Sequence, residues 1–471
     1  MTIDRAEWLP LTAGQMDFWE EFLFHPDQPV STVAHCLDLQ GPLDEGALAS
    51  AIRQTVAEAD TLSLRFRETG DGRVQQQVDP ARAPRLMLHD LRGADDPDAA
   101  ARRIMQGDMD AVLDLRRHPL SAQMLLRVGD RRWLWYSRGH HIILDGFGVA
   151  LIEGRVATLY TAATGAGDAG APFGRLADFI HESTAYADSA TCAADRAYWQ
   201  GELAPFRDAL PVLRKGAEDY GVHPMQADVT PGPAFEGALQ QAATRAGLNW
   251  ADTLTLLSAI WLARHDPGRT ARGAMPVWLP YMSRMGSVSA NTPAMVVNIL
   301  PLIVDPQPDE GLGTLIARLA RTLRRHRRHG RYRIEDMARD CGIPAGHRFH
   351  FTPLVNVMPF AQPRFPGLDA RRHVLAAGPG DGFNISFTGD GMGTGLSASI
   401  EADPAIQPRD SFAARVAAFE TWLRGAVQQL AQGLNRKPEK KSWPETVLGR
   451  AVALGSDQPA SPVLPAGRDL E

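Results

Sequence analysis

The residues of this chain best suited to chemistry lie together in one heptapeptide, His140-His141-Ile142-Ile143-Leu144-Asp145-Gly146. An imidazole titrates near neutral pH, so a neutral histidine in a site can take or position a proton on an attacking nucleophile. His141 is the candidate for that role and Asp145 for holding the local backbone. Gly146 would allow a substrate to approach where any Cβ would intrude, unless it is simply a turn glycine. Adjacent side chains point apart, so only one of the two histidines can face a common site, and His140 is read as the structural one. The alternative is a turn with two hydrogen-bonded histidines and Asp145 as a helix N-cap. A metal site is not expected, because no HExxH pattern follows and Asp145 lies four residues past His141 in a stretch that does not read as helical.

The heptapeptide needs a strand before it and a helix after it, and both signals are present. Arg132 to Ser137 reads as a strand and pairs across the Gly129-Asp130 turn with Met124 to Val128, while Phe147 to Thr161 returns to a helical period. Upstream, Thr12 is a plausible N-cap for a helix carrying Phe18, Trp19 and Phe22. Strands are expected at Thr32 to Leu39 and Leu62 to Phe66, and helices at Asp44 to Asp60 and Asp96 to Leu113. After a Gly/Ala-rich stretch from Thr164 to Pro172, helices at Ala177 to Tyr186 and Ala193 to Leu203 bridge into a second unit. That unit repeats the style. Helices are expected at Asn249 to Arg264, Gly313 to Arg328 and Asp410 to Leu430, and strands at Ala274 to Leu279, Met295 to Val304, Leu354 to Met358, Phe383 to Thr388 and Gly395 to Ile400. The pattern predicts two α/β lobes, residues 1–180 and 181–435, followed by a Pro-rich linker tail at 436–471 whose final Leu-Glu resembles a cloning scar.

Composition narrows the function classes. The chain has 471 residues, 49 Lys+Arg against 55 Asp+Glu, and a net charge of −6. That balance offers no basic field for a nucleic-acid backbone. No apolar run approaches the roughly 18 residues of a membrane span, and no export signal opens the chain, so a cytoplasmic protein is expected. The three cysteines, Cys36, Cys192 and Cys341, are far apart and never form a CxxC pair, which fits a reducing compartment.

The heptapeptide has the form HHxxxDG, and in that form it resembles the signature of condensation domains of nonribosomal peptide synthetases. Leu11-Thr12-Ala13-Gly14-Gln15 with Trp19, Asp60 to Phe66, Ala177-Asp178-Phe179 with Tyr198-Trp199, Met295 to Asn298 and Pro353 to Met358 are similar to further motifs of that family, in order, over about residues 8 to 432. The resemblance implies an α/β fold of two chloramphenicol-acetyltransferase-like lobes in a V-shaped pseudo-dimer, with the histidine loop in the tunnel between them. It implies amide formation between a donor acyl thioester on one carrier protein and the amine of an aminoacyl group on another. The chain itself would bind no cofactor, since the phosphopantetheine arms belong to the donor and acceptor carriers, and an adjacent adenylation domain is expected in the full synthetase.

On this resemblance His141 orients and deprotonates the amine, and Asp145 forms a buried ion pair with Arg284, Arg65 being the alternative partner. Asn298 either hydrogen-bonds substrate or satisfies a strand end, and Gln15 and Trp19 are structural. Gly14 departs from the alanine of many relatives. The basic run Arg321 to Arg333 holds seven arginines. It is either a solvated face or a docking surface for acidic carriers, with Arg324, Arg327, Arg328 and Arg331 as candidates. Both histidines are kept, which disfavours heterocyclisation, and the Phe147-Gly148, Arg284 and Asn298 segments resemble bond-forming rather than epimerising members. The Trp133 to Tyr136 strand, Tyr281 to Gly286 with Pro301-Leu302, and Arg327 to Tyr332 resemble domains of enterobactin-synthetase type, which accept an aryl donor such as hydroxybenzoyl. No SGTTGxPKG loop and no GGxS serine occurs, so the chain neither activates nor carries an amino acid. The competing readings are an acyltransferase using coenzyme A thioesters, against which the missing DFGWG element counts, and a non-catalytic recruiting module, which often loses the second histidine.

Overall fold

The computed structural model describes residues 7–217, 224–265, 274–307, 309–378, 381–405 and 407–433. The tail at 436–471 lies outside them. In the first half a five-stranded sheet runs in the order 369–377, 32–40, 132–140, 121–129, 86–90. Its central strand, Arg132–His140, is buried on both faces, so its residues read as a continuous run rather than an alternation. Helices Glu45–Glu58 and Gly146–Ala163 pack together. Their core joins Leu37, Leu48, Ile52, Trp135, Ile152 and Val156. Burying side chains of this size contributes about 1.5–3 kcal/mol each.

The helix starts follow from local chemistry. Thr12 caps Ala13–Phe24 in a capping box with Gln15, and Asp44, Asp96 and Asp145 cap the helices beginning at Glu45, Pro97 and Gly146.

The second half builds a mixed six-stranded sheet in the order 298–304, 275–281, 354–358, 383–388, 397–402, 225–229. Helices Pro233–Ala246, Trp250–His265, Leu312–Arg328 and Arg409–Ala431 pack on it around Leu257, Trp261, Ile316, Ile385 and Phe419. The two α/β lobes expected from the sequence are present, and neighbouring elements hold a shared cavity between them.

The structure differs from the sequence reading at several elements, among them the added strands Val74–Val78 and Leu86–Asp90 and the helix Ile334–Asp340. The strand expected from Met295 begins at Asn298, because the amides of Val296 and Val297 are committed elsewhere. The Met225–Val229 strand and Pro233–Ala246 helix were not foreseen. Nor was the Asp369–Ala377 strand, which leaves the second half of the chain and pairs antiparallel with Thr32–Gln40 in the first lobe's sheet. As an edge strand it carries Arg371, Arg372 and His373 in place of a buried apolar run. No helix among the described residues is long and apolar enough to cross a membrane.

Candidate active site

His140 ends the strand and Asp145 begins the helix, so the loop between them makes a sharp turn whose backbone groups need partners. They find them across the lobe. The His140 amide donates to Leu120 O at 2.8 Å and the His141 amide to Ser31 O at 2.6 Å. The Ile142 carbonyl accepts from Gln15 Nε2 at 3.0 Å and the Ile143 carbonyl from Thr61 Oγ1 at 2.6 Å. His140 turns inward, where its Nδ1 accepts from the Ile142 amide at 3.1 Å. Burial pushes its pKa down to about 3, helped by His141 and Arg138. It closes the loop, and among the described residues the cavity wall contains His141 but not His140.

Asp145 is the anchor. Its Oδ1 accepts from the Gly148 amide at 2.7 Å and its Oδ2 from the Val296 and Val297 amides at 3.0 and 2.9 Å. Arg284 Nη2 adds charged bonds at 2.8 and 3.0 Å. The same guanidinium donates to the carbonyls of Ser289, Thr292 and Ala294 at 2.6, 2.8 and 2.9 Å. Asp145 and Arg284 are only 2% and 5% exposed, so this is a buried pair joining the histidine loop to the other lobe. Arg65, the alternative partner, reaches Gln77 and Asp79 instead, at 2.8 and 3.6 Å.

Asn298 makes four bonds to the fold. Its amide donates to Gly330 O and Tyr332 O at 2.9 and 2.8 Å, and its carbonyl accepts from the Ile299 and Ile334 amides at 3.0 Å each. Of its two readings, the strand-end role is the one the geometry fills.

His141 lines a cavity of about 970 Å³ that also reaches Phe18, Gly146, Phe147, Met295 and Phe360. Its ring stacks on Phe18 with centroids 4.6 Å apart and an interplanar angle of 13°. Burial lowers its pKa, with Asp145 opposing, so it is neutral at physiological pH. Its Nδ1 is buried with no hydrogen-bond partner among the described residues. Such a group costs about 1–3 kcal/mol to leave unpaired. A neutral imidazole held on a cavity wall by packing is equipped to bind or accept a proton. Gly146 also lines the cavity, and a Cβ there would meet Phe360 at an ordinary 3.6 Å.

The four arginines of the basic run all lie on the cavity rim, but in two conditions. Arg327 is paired with Asp252 at 2.6 Å, and Arg331 with Glu182 at 3.3 Å while lying over Tyr186. Arg324 and Arg328 are exposed and carry no ion pair among the described residues.

Several site residues were beyond sequence reasoning. Phe18 was assigned only to a helix stripe. Gly378 packs against His141 so closely that a Cβ would collide with the ring, and its φ of +91° is one that favours glycine. Arg333 donates to Val297 O at 2.7 Å, gripping by its carbonyl the segment that Asp145 holds by its amides. A Cβ on Gly14 would meet the side-chain ends of Arg333 and Met295, which would have to shift to admit it.

Two mixed α/β lobes closing on a histidine loop define a two-lobed acyl-transfer fold. The Condensation domain family matches residues 5–366. The structure resembles the crystal structure of VibH, an NRPS condensation enzyme, with a TM-score of 0.80 and 30% identity, covering 91% of this chain and all of that one. The sequence is 35% identical to isonitrile lipopeptide synthase of Streptomyces coeruleorubidus over 86% of this chain and 27% of that protein. It is 32% identical to enterobactin synthase component F of Escherichia coli K12 over 99% of this chain and 37% of that protein. The chain belongs to the condensation-domain family of nonribosomal peptide synthetases, whose members form amide bonds by acyl transfer. It spans 27% and 37% of the length of the two synthases.

Proposed function

We propose that this chain joins an aromatic acyl thioester on a donor carrier protein to the amine of an aminoacyl group on an acceptor carrier. The observation that supports this most is His141: neutral, with no partner for its Nδ1 among the described residues, and fixed over the cavity by a loop whose carboxylate is locked to the opposite lobe. The amine nitrogen attacks the thioester carbonyl, a C–N bond replaces the C–S bond, and the proton released by the amine returns to the departing thiolate by way of the imidazole. A thioester is already activated, so holding both reactants in register contributes more than strong base catalysis. The motifs similar to enterobactin-synthetase-type domains support the aromatic donor. The two lobes divide near residue 180, with an adenylation domain beside them in the complete synthetase and the whole assembly in the cytoplasm.

Mass spectrometry of products tests the donor class. Wild-type protein supplied with a benzoyl-type donor on one carrier and an aminoacyl acceptor on another is expected to yield the amide. Amide from straight-chain donors alone would refute the aromatic reading, and equal use of coenzyme A thioesters would refute carrier dependence.

Carrier docking is assigned to the rim arginines, with Arg324 and Arg328 as the recognition pair because Arg327 and Arg331 are engaged within the fold. Reversing both charges, Arg324→Glu with Arg328→Glu, is expected to weaken carrier binding about tenfold at low salt, with the difference shrinking as ionic strength rises. An unchanged affinity at low salt would return this face to solvent.

A further inference from the structure

A second histidine lies on the cavity wall, and the reaction described above does not use it. On the Thr32–Gln40 strand, Val33 and His35 are two residues apart, share a face, and both line the cavity. His35 Nδ1 is 2.9 Å from Glu153 Oε1, and both residues are 1% exposed. The other Glu153 oxygen accepts from Arg372 Nε at 2.6 Å. Arg372 also donates to the carbonyls of Phe360 and Ala361 at 3.2 and 3.1 Å. The trio draws on three separate elements: the strand, the helix that follows the histidine loop, and the edge strand contributed by the second half of the chain.

Its protonation follows from its neighbours. Burial pushes the Glu153 carboxyl up, but His35 and Arg372 outweigh burial and hold it below the usual value, so it is ionised. An ionised carboxylate only accepts hydrogen bonds, so Nδ1 of His35 donates to Glu153 and Nε2 is the ring nitrogen left for the cavity. Among the described residues that Nε2 has no hydrogen-bond partner. Thr32 is in register with His140, and His35 lies three residues further along the strand. At about 3.3 Å per residue this places it about 10 Å from the level of the catalytic loop. Phe147 and Phe360 wall the same cavity, with ring centroids 5.6 Å apart at 70°. The result is an aromatic stretch of cavity wall beside a rigidly oriented imidazole nitrogen.

We infer that His35, oriented by Glu153 and Arg372, is a specificity-determining residue whose Nε2 hydrogen-bonds a hydroxyl group on the aromatic acyl donor. The inference rests on the aromatic-donor reading above and adds to it the residue that recognises the donor's hydroxyl. His35 would touch substrate, and Glu153 and Arg372 are positioning residues that act through it. A site built to pair a substrate hydroxyl discriminates strongly against an analogue lacking it, because the buried polar group is then left unpaired.

The test compares kcat/KM for carrier-bound benzoyl and for each of the three monohydroxybenzoyl donors, in wild type, His35→Leu and Glu153→Gln. The ratio of hydroxybenzoyl to benzoyl turnover does not depend on how much of a variant is folded. At least one hydroxy isomer is expected to be preferred by wild type, with that preference falling about 10- to 100-fold in His35→Leu and less in Glu153→Gln. Should His35→Leu fail to fold, His35→Gln is read by the same ratio. Equal losses with every donor would reduce the trio to a structural tie between strand and helix and overturn the inference. A loss that followed the acceptor side chain instead of the donor hydroxyl would overturn it too. Wild-type protein that used straight-chain donors but none of the aromatic ones would refute the underlying donor reading, a result visible before any variant is made.

Discussion

Replacing Arg284 with methionine is expected to destabilise the protein by about 3–5 kcal/mol, because it leaves the Asp145 carboxylate buried and without its countercharge. Asp145→Ala should cost a similar amount for the converse reason. It strands the Arg284 guanidinium and also removes the acceptor for the Gly148, Val296 and Val297 amides. In a lobe of this size the loss corresponds to a fall in melting temperature of about 6–20 °C, measured by thermal unfolding. The double variant should lose less than the sum, since the two side chains share one interaction. Soluble yield should fall with melting temperature, and any loss of activity beyond what stability accounts for would report displacement of the His141 loop, because neither group touches the reacting atoms. A variant with unchanged melting temperature would remove the pair from its place as the anchor of the histidine loop.

Gly378→Ala is expected to have the opposite signature, a large loss of turnover with a smaller loss of stability. The added Cβ meets the His141 imidazole directly, and one of the two must shift. A displacement of about 1 Å at a positioned catalytic group can cost about 100-fold in rate, so kcat should fall by about that factor. The left-handed backbone at this position adds about 1–2 kcal/mol of strain when a side chain is present. Steady-state kinetics beside thermal unfolding would separate the two effects. Turnover at the wild-type rate would mean that His141 does not need its present position.

The contrast between these two positions shows how much the sequence could reveal. The histidine loop is contiguous, so its residue types, its strand-to-helix setting and the N-cap role of Asp145 could all be read from one short segment. Arg284 stands 139 residues from Asp145, and its pairing followed from motif resemblance, not from periodicity. Gly378 and Arg372 reach the site only because Asp369–Ala377 crosses into the first lobe's sheet, and that strand lacks the apolar alternation that marks a strand in sequence. Phe18 and His35 were hidden for a different reason. A phenylalanine on a helix stripe and a histidine within a buried strand look like core until tertiary packing shows that both face the cavity. Asn298 was ambiguous because an amide suits either substrate or backbone, and only its four partners separate the two. The basic run behaved likewise: charge placed it at a surface, while pairing divided Arg327 and Arg331 from Arg324 and Arg328.

The central claim is that His141 carries the condensation step, and single-turnover product analysis tests it most directly. Loaded donor and acceptor carriers are mixed with wild type or with His141→Ala, and the amide is followed by mass spectrometry while thermal unfolding confirms that both proteins are folded. The account predicts amide from wild type and a rate at least about 100-fold lower from His141→Ala at an unchanged melting temperature. Amide formed by His141→Ala at the wild-type rate would contradict it.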